Sequence, residues 1–420
     1  MAGLLSHLVV LDLSRVLAGP WCTQLLADLG AEVLKIEKPG TGDDTRSWGP
    51  PFLKDKAGRD TGEAAYYLAC NRGKKSVAVD FTQSEGQAIV RNLARGADVV
   101  IENYKVGGLA KYGLDYPNLA AINPRLVYCS ITGFGQTGPY AERAGYDFII
   151  QGMSGFMSVT GERDELPGGG PQKAGIAISD LMTGMYACSA ILAAITHRDA
   201  GGGGQHIELS LLDSAVAMMA VMNMNYLASG VPPGRAGNAH QNIVPYQVFA
   251  CADGHLILAV GNDAQFVRFC EVAGKPEWAR DPRYALNAER VRRRNELLPL
   301  IAAVMGTRTQ REWLSALEAA GVPCGPINRL DQVFADPQVL SRAMRLDLPH
   351  PLSGTVPQVG NPLRFSATPV AYTRAPPLLG EHTAVVLRER LGLPDESLQD
   401  LAARGVIGIA ARGGGLRPIP

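Results

Sequence analysis

Two stretches of this chain hold residues whose types and spacing could do chemistry. Asp180 stands directly before the apolar run 181–196, a pattern that predicts a buried core helix. Unpaired amides and the dipole at a helix start favour an ionised carboxylate there, and an ionised carboxylate can act as a nucleophile. An aspartate in that place also serves as a plain N-cap, so type and position leave both roles open. The second stretch, V-L-A-G-P-W-C-T-Q at 16–24, joins an apolar run at 8–13 to the strand pattern E-V-L-K-I-E-K at 32–38. It is the first turn of a βαβ unit and has the setting of a nucleotide site without the usual glycines. The missing G-x-G-x-x-G, by which a backbone approaches a pyrophosphate, disfavours an NAD enzyme.

Other chemistries are excluded by composition. The seven histidines show no ligand spacing with one another or with cysteine, so no metal is expected. Forty Lys plus Arg balance forty Asp plus Glu, which leaves no global field to attract nucleic acid or an anionic membrane. Any anionic ligand must then be held by local cations. Seven cysteines, odd in number and without a C-x-x-C pair, point to reduced thiols and a cytoplasmic setting. The amino-terminal residues lack the basic region of a signal peptide, and the run 181–196 is too short to span a bilayer.

The elements that must position these residues alternate. Strand patterns at 8–13, 32–36, 75–81, 98–102, 126–131 and 205–212 are interleaved with helical patterns at 84–95, 117–122, 181–197 and 214–227. That order predicts an α/β fold with an open, mostly parallel sheet covered on both faces. A chain of 420 residues is expected to divide in two. Residues 229–237 read as a linker, and 244–251 and 255–260 flank A-D-G as a hairpin. The expected division is 1–228, a linker and small domain at 229–340, and a return at 341–420. Helices are expected at 378–392 and 395–404, and the glycine- and proline-rich tail 410–420 reads as disordered.

Seven motifs together resemble the class III CoA-transferase family. They are V-L-A-G-P-W-C-T-Q (16–24), V-L-K-I-E-K-P-G-T-G-D-D-T-R (33–46), N-R-G-K-K-S-V-A-V-D (71–80), V-V-I-E-N-Y (99–104), I-T-G-F-G-Q-T-G-P-Y (131–140), G-I-A-I-S-D-L-M-T-G (175–184) and G-G-G-Q (202–205). R-S-W-G-P-P-F (46–52), A-H-Q-N-I-V-P-Y-Q (239–247) and P-P-L-L-G-E-H (376–382) are similar to the branch that serves succinate and hydroxymethylglutarate. The resemblance implies a large Rossmann-like domain without the dinucleotide fingerprint, a smaller inserted domain, and an interlocked homodimer.

It also implies roles. Asp180 matches the nucleophilic aspartate, which would carry acyl-anhydride and CoA-thioester intermediates. Gly261 falls where the family has a glycine loop over the active site, although this loop holds a single glycine among Asn and Asp. The backbone at Val16 and Ala18 would meet the adenine of coenzyme A, and Lys38, Lys75, Asn103 and Lys111 its phosphates or ribose. Lys111 stands where relatives often carry Arg. Tyr146 occupies the position of the racemases' histidine; a phenol titrating near 10 is a poor base for Cα proton exchange, which favours transfer. Arg46 and Arg143 are candidates to read the distal carboxylate of a dicarboxylic acid. The expected activity is CoA transfer from succinyl-CoA to a dicarboxylic acid. An α-methylacyl-CoA racemase and a non-catalytic CoA-binding subunit are the alternatives. Coenzyme A enters as the acyl-CoA substrate, with no permanently bound cofactor, and the other partner is a small carboxylic acid.

Overall fold

The computed structural model of the chain describes residues 3–410; the expected tail beyond lies outside them. Six strands run parallel: β1 (Val9–Asp12), β2 (Glu32–Glu37), β3 (Lys75–Val79), β4 (Val99–Glu102), β5 (Val127–Thr132) and β6 (Gln205–Ser210). A two-residue strand, β7 (Ile407–Gly408), pairs antiparallel with β3 at the edge. The order across the sheet is β7-β3-β2-β1-β4-β5-β6. In register, Val10 of β1 lies between Val33 and Val99.

Alternation along the strands gives two cores. Leu11, Leu34, Ile36, Val77 and Val100 face helices Ser84–Arg95, Thr383–Leu391 and Asp395–Ala403. Val10, Val33, Val99, Ile101 and Cys129 face two other helices, α1 (Ala18–Asp28) and, further along, α3 (Ile178–Asp199). Between them in sequence is the short α2 (Asp147–Met153). By length and apolarity α3 could cross a bilayer, contrary to the shorter span read from the sequence. Its Ala187, Ile191, Ala194 and Ile195 are instead buried in the second core.

The described residues form two compact units, 3–154, 174–220 and 338–410 in one, 155–173 and 221–337 in the other. The second holds an antiparallel sheet, Cys324–Pro326, His255–Ala259 and Tyr246–Ala250, packed by helices around Phe266, Phe269, Leu297 and Trp313. Its boundaries differ from those expected at 229 and 340, and it takes 155–173 from the first unit. The cause is pairing at long range. Gly237 N–H donates to the Gly161 carbonyl at 3.1 Å, and Arg235 Nε to that of Glu162 at 3.1 Å. The single helix expected at 214–227 is two, Leu211–Met218 and Val221–Ser229, with a break between them that periodicity does not register.

Candidate active site

The reversal of strand order between β1 and β4 leaves a crevice at their carboxyl ends, where ligands of open α/β sheets bind. Four side chains from elsewhere grip the chain as it leaves β1. Lys35 Nζ donates to the Ser14 carbonyl at 3.0 Å. Asn103, just past β4, donates to the Arg15 carbonyl at 2.7 Å and accepts the Arg15 N–H at 2.8 Å. Asp43 accepts the Val16 N–H at 3.2 Å, and the Cys70 thiol reaches the Val16 carbonyl at 3.6 Å. Burial alone would raise the Asp43 carboxyl, but the Lys35 ammonium at 2.9 Å brings it down to about 2. The clamp holds Val16 at φ +71°, a left-handed conformation that costs a β-branched residue about 1–3 kcal/mol.

The turn delivers the chain into α1, whose first N–H groups are open. No side chain caps Leu17, and the N–H groups of Ala18 and Gly19 have no partner among the described residues. Such a helix start offers donors and a positive dipole end to an anion. Glycine is needed at 19, because a Cβ there would lie 2.2 Å from Ser14 Oγ. It is needed again at 184, where a Cβ would lie 2.6 Å from the Ala18 carbonyl. The helix α3 therefore crosses the start of α1 at backbone contact. Asp180 is one turn earlier on the same face of α3, which brings it to the open end of α1.

Asp180 is the third residue of α3, not the residue before it, and it caps nothing; Ala177 holds the N-cap position. The missing cap comes from Asp147. Its Oδ1 accepts the Ser179 N–H at 2.8 Å, and its Oδ2 accepts Gln151 Nε2 at 2.6 Å. Burial, and then the Asp147 charge, push the Asp180 carboxyl up to about 7. The helix dipole expected to favour its ionised form is outweighed. Tyr66 is raised to about 12 by burial and by the charge of Asp180, and its ring meets Trp48 edge-on at 5.1 Å. A phenol that stays protonated beside a carboxylate keeps its O–H as a donor, the kind of group that can stabilise an oxyanion. The adjacent Ser179 hydroxyl is buried without a partner, a polar group a substrate could satisfy. Trp48 and Ser179 lie inside motifs quoted above and Asp147 and Tyr66 outside them, but the sequence assigns a role to none of the four, since only the tertiary contacts give them meaning.

Of the residues expected in the site, Val16, Ala18 and Asp180 are brought together, with Tyr146 directly before Asp147. Tyr146 is 63% exposed and so is not a core aromatic. Asn103 is committed to the Arg15 backbone and acts on that turn from beneath. Lys38 is exposed past the carboxyl end of β2. Lys111 lies over the Tyr112 ring at 4.8 Å, and Tyr112 packs through Phe81 to Tyr104. Arg15, which sequence reasoning passed over, lies over Tyr104 at 5.0 Å with its Nε buried and unpartnered.

Three expected residues have other occupations. Lys75 opens β3, at the amino ends of the parallel strands and so away from their carboxyl ends, and is paired with Glu32 at 2.6 Å. Arg46 is buried, and its guanidinium is spent on both Glu37 oxygens at 2.8 Å, on Tyr67 at 2.6 Å and on the Pro377 carbonyl. It has no face left for a substrate carboxylate. Gly261 belongs to the second unit, where its N–H donates to Gln265 Oε1 at 2.6 Å and its backbone is not left-handed. Arg143 is exposed and stacked on Tyr140 and Phe134, at 4.6 and 5.2 Å.

Known proteins share this arrangement of sequence and fold. The profile of CoA-transferase family III matches residues 5–383. The succinate–glutarate CoA-transferase of Agrobacterium fabrum is 54% identical over 385 residues, 92% of this chain and 95% of its own. The succinyl-CoA:glutarate CoA-transferase of Homo sapiens is 42% identical over 398 residues, 95% of this chain and 88% of its own. A crystal structure of a CAIB/BAIF family protein from Brucella suis superposes with a TM-score of 0.81 at 49% identity, covering 93% of this chain and all of that one.

Proposed function

The chain belongs to CoA-transferase family III, and from that premise we propose that it moves CoA from succinyl-CoA to a dicarboxylic acid such as glutarate, with Asp180 as the covalent carrier. The observation that carries this reading is the carboxylate of Asp180 set at the open start of α1 and pushed up to about 7. A carboxylate that burial and a second charge destabilise is more basic than one in water, and acylation removes the charge that the site penalises.

An Asp180 oxygen attacks the thioester carbonyl of the donor; the C–S bond breaks and CoA thiolate leaves, giving a mixed anhydride. The thiolate then attacks the Asp180 carbonyl, the donor acid departs as carboxylate, and an aspartyl-CoA thioester remains. The acceptor carboxylate displaces the thiolate to form a second anhydride. Attack of the thiolate on the acceptor's acyl carbon releases the new acyl-CoA and restores Asp180. The free amides of α1 and the Tyr66 hydroxyl suit the oxyanions of these steps. Arg15, Lys38 and Lys111 are the cations this reading assigns to the phosphates of CoA, and Arg143 the one left for a distal carboxylate. Tyr146 in place of a histidine speaks against Cα proton exchange.

The exposed apolar run Val221, Met224, Tyr226, Leu227 and Val231 suits a homodimer, interlocked as the family resemblance implies. Seven free thiols, five of them buried, fit a cytoplasmic enzyme. The test is to incubate the protein with succinyl-CoA, trap with hydroxylamine or borohydride, and map the modified peptide. Modification at Asp180 is expected; trapping at Asp147, or full transfer activity in Asp180→Asn, overturns the proposal.

A further inference from the structure

The second unit contains a cavity of about 740 Å³ that the transfer chemistry does not use. Arg163, Arg235 and Arg294 line it together with an apolar wall that includes Val248, Leu298 and Ala302. All six belong to that unit. Arg235 is spent, on the Glu162 carbonyl at 3.1 Å and on the Asp164 carboxylate. The other two are less committed. Arg294 uses one nitrogen on the carbonyls of His240 and Gln241 and forms no ion pair among the described residues. Arg163 comes no nearer to a carboxylate than 3.7 Å from Glu162 and 3.9 Å from Glu165. Burial, and then the charge of Arg163, push the Arg294 guanidinium below its usual value. Arg294 is half-buried and Arg163 exposed, Glu162 and Glu165 offset their repulsion only at long range, and an anion between the two guanidiniums relieves it further. A guanidinium fork fits a carboxylate or phosphate through two parallel hydrogen bonds.

We infer that this cavity binds an amphiphilic oxyanion, its carboxylate or phosphate head held by Arg294 and Arg163 and its apolar body laid on Val248, Leu298 and Ala302. The volume is in the range of sites that take small organic molecules and far exceeds what a bare ion fills. The inference is independent of the role of Asp180.

Calorimetric titration of the full chain at low ionic strength, with CoA saturating, tests it. The probes are inorganic phosphate, octanoate and octyl phosphate, which separate head from body and carboxylate from phosphate. One of the two amphiphiles should bind more tightly than inorganic phosphate. Arg294→Gln should weaken that binding by about tenfold or more, and Arg163→Gln, whose side chain is largely exposed, by several-fold with unchanged folding and unchanged transfer rate. Arg294→Lys keeps the charge but not the fork, guards against loss of the loop it holds, and should fall between. Absence of saturable binding of all three probes up to about 10 mM overturns the inference. So does undiminished binding in both Gln variants, and phosphate binding as tightly as octyl phosphate overturns the apolar body.

Discussion

Replacing Asp180 should stabilise the protein, and only at the pH where its carboxyl is charged. The Asp180 carboxyl, ordinarily at 3.8, is pushed up to about 7 in the folded chain. Between those values the folded state binds the proton that the unfolded state has released, so stability declines as pH rises from about 4 to about 7. Below the lower value both states are protonated and nothing is lost; above the upper value the whole cost is present. At about 1.4 kcal/mol per pH unit the cost is roughly 4 kcal/mol. Asp180 keeps some contact with water, which screens part of this, so about 1–3 kcal/mol is the expected size. Asp180→Asn has nearly the same volume and never ionises. Urea unfolding of both proteins at pH 4.5 and pH 8 should show the variant gaining about 1–3 kcal/mol relative to wild type on going to the higher pH. A stability difference that stays constant with pH, or that moves against the variant as pH rises, refutes the electrostatic account of this site.

Arg46→Gln leaves Glu37 buried without its bidentate partner and should cost about 3–5 kcal/mol, seen as a lower melting temperature with the KM for the acceptor acid unchanged; a raised KM at unchanged melting temperature would restore Arg46 as a substrate reader. Val16→Gly relieves the left-handed strain at φ +71° and should leave stability within about 1 kcal/mol of wild type by urea midpoint, whereas a loss above about 2 kcal/mol would mean that the turn is not strained.

What could be read from the chain alone follows from where each signal resides. The strands of the sheet are runs such as Val9–Asp12 and Val99–Glu102, buried on both faces, and their composition declares them. Asp180 is visible through its motif, but its charge state is not, because it is set first by burial and then by Asp147, which lies in another helix. Lys75 and Arg46 have the residue type of an anion reader. Their partners Glu32 and Glu37 lie on β2 and are reached only once the strands are ordered and registered, which no local pattern encodes. The boundary of the second unit failed for the same reason: Gly161 and Gly237 meet across a span that carries no periodic signal.

The edge of the sheet sets a clock on synthesis. Strand β3 is finished by residue 79, yet the segment that covers its outer side begins at Gly380, whose N–H donates to the Ser76 hydroxyl, includes Thr383, whose hydroxyl accepts the Ala78 N–H from 305 residues further along, and continues to Ile407 and Gly408. At about 5–20 residues per second a ribosome needs roughly 15–60 s to supply that distance. For that interval the amino-terminal strands carry an open, apolar edge with every main-chain donor and acceptor available to a neighbour. The last turns of the polypeptide thus close a seam that the first hundred residues leave open, and the chain's exposure to misassembly is longest while it is being made.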